Sequence, residues 1–340
     1  MTILLVYVDD IIVTGNDMAG INSLRTQLMR EFAIKDLGRL KYFLGIEVAH
    51  SKQGIFISQQ KYILDLLAET GKLGCKPVDT PIEQNHRLCE AGRRSPKWRK
   101  KKKSCTPPKD PPVDKGSYQR LVGKLIYLAH TRPDIAYAVS VVSQFMHCPK
   151  TSHLQAAHRI LHYLKGTPVK GILFRRGRKL TIEAYTDADH GGDLDNRRST
   201  AGYCTFLGSN LITWRSKKQT VVSRSSTEAE FRAMALGICE LLWIKIILSD
   251  LRIHWEGPMK LYCDNKSAIN IAHNSVHHDR TKHVEIDRHF IKEKLESGLI
   301  CTPFVPSKDQ LADVLTKGLP SEQFKNIVSK LGMDDIHSPA

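Results

Sequence analysis

The sequence predicts a mixed α/β (α+β) protein, and three observations carry that prediction. Short apolar runs that end in an acidic residue recur along the chain, as in ILLVYVDD, LTIEAYTD and KLYCD. Between them lie longer stretches whose apolar residues keep helical spacing, such as residues 118–165 and 226–248. The composition, 41% hydrophobic and 25% charged over 340 residues, supplies enough apolar material for two or more cores.

The chain opens on ILLVYVDDIIVTGND, two apolar runs flanking Asp9 and Asp10. The pattern predicts a hairpin with both carboxylates at its tip. A surface turn rich in Asp is the plainer reading, yet the pair lacks the Gly or Asn that two-residue turns prefer. Asn16 or Asp17 can cap a helix over 18–32, with Ile21, Leu24, Leu28 and Phe32 as its apolar stripe. Residues 40–49 and 55–58 read as strands joined by a turn at 51–54, and 59–70 reads as a second helix.

From 77 to 116 the periodicity ends and Pro and Lys cluster, which predicts a disordered linker. Its core is Arg93, Arg94, Lys97, Arg99 and Lys100 to Lys103, a tract that serves either as a nuclear localisation signal or as a phosphate-binding arm. Residues 118–165 are helical by pattern. Leu121, Leu125 and Leu128 form a stripe, and Pro133 stands where a first-turn proline is tolerated. His158 and His162 at helical spacing suit phosphate contact better than a metal. Residues 166–179 lead into the next strand.

Residues 180–185 read as a strand delivering Asp187 just past its end. A Gly-rich charged turn at 191–198 follows, then strands at 202–207 and 211–216. Ser225, Ser226 or Thr227 caps a long helix that carries Glu230. Asp264 follows the short strand 261–263 and opens a helix. The stretch 283–298 predicts a helix with Ile286, Phe290, Ile291 and Leu295 inward, ended by Gly298. Residues 300–305 read as a strand, and Asp313 sits in a helical stretch whose buried side is Leu311, Val314 and Leu315. A terminal helix at 321–331 precedes a frayed tail. An acid at a strand end is costly to bury unless a cation neutralises it. Four such acids on one sheet, Asp187, Glu230, Asp264 and Asp313, suit a pair of Mg²⁺ ions, which take hard oxygen ligands. His273, His277, His278, His283 and His289 show no zinc spacing and read as structural.

The formal charge is +16, half of it from the 93–103 tract, and the remaining basic excess favours a polyanionic partner, nucleic acid first. Eight cysteines without CxxC spacing fit a reducing compartment. No signal peptide and no bilayer-spanning run is present, which predicts a cytoplasmic or nuclear protein without a membrane partner.

These residues carry a resemblance. TDADH…RRSTAGYC, SSTEAEF, LYCDNKSAI, DRTKHVEIDRHFIKE and QLADVLTKGL together resemble the ribonuclease H domain of Ty1/copia-type retrotransposon polyproteins, plant ones in particular. YVDD, with the stretches LRTQLMREFAIKDLGRLKYFLGIEV and QQKYILDLLAETG, resembles the end of the reverse transcriptase palm in the same family. The resemblance implies a ribonuclease H-like mixed sheet flanked by helices, preceded by a truncated palm and a helical connection. The implied divisions are 1–76 (palm), 77–116 (linker), 117–170 (thumb or connection), 171–331 (ribonuclease H-like) and 332–340 (tail). It places the catalytic and metal-binding carboxylates on Asp187, Glu230, Asp264 and Asp313, with Glu228 the rival for the second. Glu230 is preferred because the family's pattern puts the acid just before the hydrophobic residue that begins the buried stripe, here Phe231. The implied activity is hydrolysis of the RNA strand of RNA–DNA hybrids with two Mg²⁺ ions, Mn²⁺ being a substitute. Arg197, Arg198, Lys217 and Lys218 are available for phosphates. Asp9 and Asp10 would be a vestigial polymerase metal site, since the family's other catalytic aspartate and its fingers lie upstream of YVDD. The alternative is a basic nucleic-acid-binding relic without catalysis. His190 stands where the family usually has Trp, and no His lies between Phe304 and Asp313.

Overall fold

The computed structural model describes residues 1–89, 110–177, 179–273 and 285–335. The 93–103 basic tract and His277, His278 and His283 therefore lie outside the described residues. The chain clusters into two compact units, Met1–Ala49 and His50–Ala340, so the packing divides before the expected palm boundary at residue 76.

In the first unit β1 (Thr2–Tyr7) and β2 (Asp10–Gly15) form an antiparallel hairpin whose last pair is Tyr7 with Asp10. The loop is therefore Val8–Asp9, and Asp10 belongs to the strand rather than to the tip. Val8 has φ +50°, an unfavourable conformation for a β-branched residue. Helix α1 (Met18–Glu31) is capped by Asp17, whose carboxylate accepts from the Gly20 amide. Its stripe of Ile21, Leu24 and Leu28 is only half-buried, and Phe32 is exposed. The single strand expected at 40–49 is broken into β3 (Tyr42–Phe43) and β4 (Ile46–His50). Leu44 and Gly45 both turn through positive φ between them.

The second unit holds two sheets. In the smaller, β5 (Gly54–Ser58) pairs with β6 (Lys170–Arg175), which pairs with β12 (Met333–Asp335). Two expectations change here. Residues 170–175 form a strand of this sheet, not a lead-in to the next one, and the tail is pinned as far as residue 335. Helices α2 (Gln60–Glu69), α3 (Lys115–Leu128), α4 (Pro133–Ser143) and α5 (Thr151–Gly166) share one apolar core beside it. Part of the expected linker packs as well. Ile82 is buried in that core, the Val78 amide donates to the His162 carbonyl, and Arg159 holds Thr80 and Glu83. Apolar residues at 78 and 82 outweigh the Pro and polar content around them.

A buried polar network ties α4 to α5. Arg132 and Asp134, both with fully buried side chains, pair at 2.7 Å, and Arg132 also donates to the Thr167 carbonyl at 2.8 Å. The Tyr163 hydroxyl donates to Asp134 at 2.6 Å. Desolvation alone would make such a pair unfavourable, so the filled hydrogen-bond set is what makes it tolerable.

The larger sheet has strand order β11-β10-β7-β8-β9. Strands β7 (Ile182–Asp189), β8 (Thr200–Leu207) and β9 (Asn210–Lys218) run antiparallel, while β10 (Met259–Tyr262) joins β7 in parallel and β11 (Ile300–Cys301) joins β10 in parallel. Beyond β11 only a bridge between Cys263 and Phe304 continues the strand expected at 300–305. Ile182 and Ala184 face α6 (Ser226–Asp250), α7 (Lys266–His273) and α8 (Glu285–Glu296) in a second core. The opposite face, with Tyr185, Cys204 and Phe206, meets the core built on α3–α5 and α9 (Ser321–Lys330). On α8, Ile291 and Arg288 are buried, but Ile286 is 86% exposed. It lies five residues before Ile291, on the far side of the helix, which corrects its inward assignment.

Candidate functional site

The cleft forms at the C-terminal ends of β7 and β10. Tyr185 pairs with Tyr262 in parallel register, so Asp187 near the end of β7 and Asp264 two residues past β10 lie at the same end of the sheet. Asp187 lies within β7, not past its end, and is 2% exposed. Glu230 enters from the first turns of α6. Ser225 caps this helix by accepting from the Glu228 amide, and Gln219 ties it to the end of β9 by donating to the Ala229 carbonyl at 2.9 Å. Glu228 is occupied in the cap, accepting from the Arg224 amide and from Arg232. Of the two candidates, Glu230 is the one that faces the cleft. Gly237 allows α6 to sit this close, since a Cβ there would lie 2.5 Å from the Thr186 methyl.

Asp313 is carried by a short 3₁₀ helix, Leu311–Leu315, rather than an α-helix, and all five of its residues are buried. Gln310, fully buried, donates to the Thr186 carbonyl at 2.9 Å and so pins this turn to β7. Gly202, the β8 partner of Asp187, leaves the room. A Cβ on it would lie 2.7 Å from the Thr316 methyl and 2.8 Å from Leu315 Cβ.

The acids do not form one even cluster. Ligand atoms of Glu230, Cys263 and Asp264 lie within 4.8 Å of one another, the one such group among the described residues. Burial, then the Asp187 and Asp264 carboxylates, push the Glu230 carboxyl up to about 10, and one of its oxygens has no hydrogen-bond partner. Burial likewise drives the Cys263 thiol far up, leaving it neutral and soft, a poor ligand for a hard cation. Asp264 accepts from the Ser307 hydroxyl at 2.6 Å. On the other side Lys317 reaches Asp313 at 2.8 Å and Asp187 at 3.5 Å, and Thr316 donates to Asp187. Burial and Asp187 push the Asp313 carboxyl up to about 7 against the opposing pull of Lys317. Burial pulls the Lys317 ammonium down, but Asp187 and Asp313 outweigh it and hold it above the ordinary lysine range. Asp189 is also raised, by burial and then by Asp187.

A cavity of about 510 Å³ opens here, walled by Asp187, Asp189, Glu230, Asp264 and Lys317 together with His190, Asn265, Lys266 and Phe304, and Asp313 is not part of its wall. The exposed ring of Phe304 has the Lys266 ammonium over its face, 4.7 Å from the centroid. The donor set suits a divalent cation with oxygen preference: carboxylates from separate elements, two of them, Glu230 and Asp313, each with a buried oxygen that takes no hydrogen bond.

Sequence patterning did not single out Lys317, Thr316, Ser307 or Gln310. For Lys317 a signal was present, four residues after Asp313. Of the four cations read as phosphate contacts, Lys218 is paired with Asp193, while Arg197, Arg198 and Lys217 are exposed. His158 and His162 are half-buried on α5 and join no group of metal-ligating side chains among the described residues. Asp9 and Asp10 are both exposed in the first unit, with no third such ligand beside them among the described residues. No helix of the described residues is long and apolar enough to cross a membrane.

Strand order and the flanking helices define a mixed α/β fold with an acidic cleft. The family model for reverse transcriptase (RNA-dependent DNA polymerase) matches residues 1–84. The chain is 46% identical over 98% of its length to the retrovirus-related Pol polyprotein from transposon RE1 of Arabidopsis thaliana, and covers 22% of that protein. It is 35% identical over 69% of its length to a transposon Ty5-1 protein of Saccharomyces cerevisiae, covering 72% of it. A solved structure of LC11-RNase H1 in complex with RNA/DNA hybrid matches 40% of this chain and 94% of that one, at 14% identity and a TM-score of 0.31. The chain belongs to the Ty1/copia-type retrotransposon Pol family and is plant-like within it. It spans about a fifth of the length of the plant Pol polyproteins it matches.

Proposed function

We propose that the second unit hydrolyses the RNA strand of RNA–DNA hybrids as a ribonuclease H-type endonuclease. The observation that carries this reading is Glu230: a carboxyl 6% exposed, with an unpartnered oxygen, held beside Asp187 and Asp264 in an open cleft. Burying a carboxyl oxygen without a hydrogen-bond partner is unfavourable by several kcal/mol, on the order of 2–7 for an uncompensated polar group. A fold that tolerates this holds the acid ready for a cationic ligand. Asp187, Glu230, Asp264 and Asp313 would hold Mg²⁺, or Mn²⁺ in its place. When bound, divalent cations supply an activated water and charge stabilisation for phosphodiester cleavage.

The remaining work falls to the chain's own side chains. Ser307 fixes the rotamer of Asp264, and Thr316 and Gln310 fix Asp187 and the Asp313 turn on the same strand. Phe304 with Lys266 offers an apolar face and a positive charge at the rim, suited to a ribose and its phosphate. Arg197, Arg198 and Lys217 add exposed positive charge for backbone contact without base selection.

The test is substrate discrimination. End-labelled RNA is supplied as an RNA–DNA hybrid, as RNA duplex and as single strand, each with Mg²⁺ or EDTA. The reading predicts cutting of the hybrid alone, with Mg²⁺ alone. Binding of all three without cutting would leave the non-catalytic nucleic-acid-binding alternative.

A further inference from the structure

The turn that carries Asp313 is clamped between two surfaces. In front, Gln310 donates to the Thr186 carbonyl, and Gly202 gives Thr316 and Leu315 room to lie against the sheet. Behind it run residues 78–86, from far earlier in the chain. Gly318 meets that stretch backbone to backbone: a Cβ there would lie 2.4 Å from the Glu83 carbonyl oxygen and 3.0 Å from Gln84 Cα. Ile82 is buried in the same core as Val314, Leu315 and Leu319. The cavity that Pro81, Ile82, Tyr137, Val314 and Phe324 help to line is about 10 Å³, at the lower limit for a single water, so the fit is close. The stretch is itself tied down along its length. Asp79 pairs with Lys325 of α9 at 2.9 Å, Arg159 of α5 donates to the Thr80 hydroxyl at 3.2 Å, and His86 hydrogen-bonds with the Tyr137 hydroxyl of α4 at 2.9 Å.

We infer that residues 78–86 are a positioning strap for the cleft, in which Ile82 and the Glu83 backbone hold the 311–318 turn against β7 from behind. This rests on the reading of the cleft as a nuclease site. Asp313 sits in a 3₁₀ helix, whose hydrogen bonds are poorer than those of an α-helix, so its place depends on what presses on it. Close-packed interiors transmit such pressure, and a void opened behind Val314 lets the turn sample positions away from β7. Asp313 and Lys317 would move with it, and both are linked to Asp187, Asp313 through the ammonium of Lys317. The working arrangement of the cleft thereby draws on a stretch outside residues 171–331. Ile82 touches no reacting group and acts through the turn, as a positioning residue.

The experiment compares the full chain with Ile82→Ala and Ile82→Val by two readouts. Amide hydrogen exchange in EDTA is expected to speed up roughly tenfold over residues 311–318 in Ile82→Ala and to stay near wild type in Ile82→Val. Hybrid cleavage, read well below each thermal midpoint, is expected to show kcat lowered roughly tenfold in Ile82→Ala with KM unchanged, and restored in Ile82→Val. A merely structural role would lower the midpoint and leave kcat alone. Wild-type exchange over 311–318 in Ile82→Ala, or wild-type kcat, overturns the inference and leaves the nuclease reading standing. A wild type that cuts no hybrid overturns the nuclease reading, and exchange then still decides whether the strap holds the turn. Should circular dichroism show Ile82→Ala unfolded, Gly318→Ala decides in its place: its added Cβ presses the turn off the Glu83 backbone, and a wild-type kcat there overturns the inference.

Discussion

Replacing Gly202 by Ala tests how the site is assembled, because Gly202 touches the acids only through packing. The added Cβ would meet the Thr316 methyl at 2.7 Å, Leu315 Cβ at 2.8 Å and the Leu315 carbonyl carbon at 3.3 Å. Ordinary contact begins near 3.4 Å, so the turn must retreat by about 0.7 Å. Leu315 is fully buried and cannot yield alone, so the 3₁₀ helix moves as a piece. It carries Asp313 and Lys317 away from Asp187. Overpacking of this kind costs on the order of 1–3 kcal/mol. A shift approaching 1 Å in a positioned group lowers rate by up to about 10²-fold. Urea unfolding should therefore show a loss within that stability range. Hybrid cleavage under saturating Mg²⁺ should fall roughly 10- to 100-fold while hybrid affinity stays near wild type. A variant with wild-type cleavage and wild-type stability would refute the assembly described for this edge of the cleft.

Further outcomes follow from other groups. Arg132→Met strands the buried Asp134 carboxylate, and urea denaturation should show a loss of about 3–5 kcal/mol; a loss under 1 kcal/mol would contradict the network's role. Glu230→Gln removes an acid whose native carboxyl is pushed up to about 10. Between the unfolded value near 4.5 and that figure the native state binds more protons than the unfolded chain, so the wild type loses stability as pH rises. In EDTA the variant should flatten that slope between pH 5 and 9, roughly, and should exceed the wild type in stability at the alkaline end. Mg²⁺ binding near neutral pH should release protons from Glu230, seen as a dependence of calorimetric heat on the buffer's ionisation enthalpy; heat independent of buffer would count against Glu230 as a ligand.

Much of this molecule was legible from residue order, for identifiable reasons. Asp187 and Asp264 each close a short apolar run, so residue order marks both, although Asp187 lies inside β7 rather than past its end. Glu230 against Glu228 followed from the resemblance, whose pattern puts the acid just before the apolar residue that opens the stripe, here Phe231. What escaped was tertiary. Lys317 and Thr316 gain meaning only when the turn after Asp313 lies on β7, and Gly202 only when a neighbour 113 or 114 residues away presses on it. Residues 78–82 look like linker by composition, yet they fill a groove that only the assembled helices create. The strand at 333–335 is too short for a periodic signal and exists because β6 offers an edge. Ile286 is apolar yet exposed because its angle to Ile291 on the helix, not its hydrophobicity, decides burial.

The most direct test of the central claim is the rate of RNA release from a labelled RNA–DNA hybrid, compared between the wild-type chain and Asp187→Asn at equal Mg²⁺. Release by the wild type, with loss of a hundredfold or more in the variant, is what an acidic cleft centred on Asp187 predicts, on the order of effects seen when a positioned catalytic charge is removed. Equal release by both proteins would place the chemistry elsewhere and contradict the account.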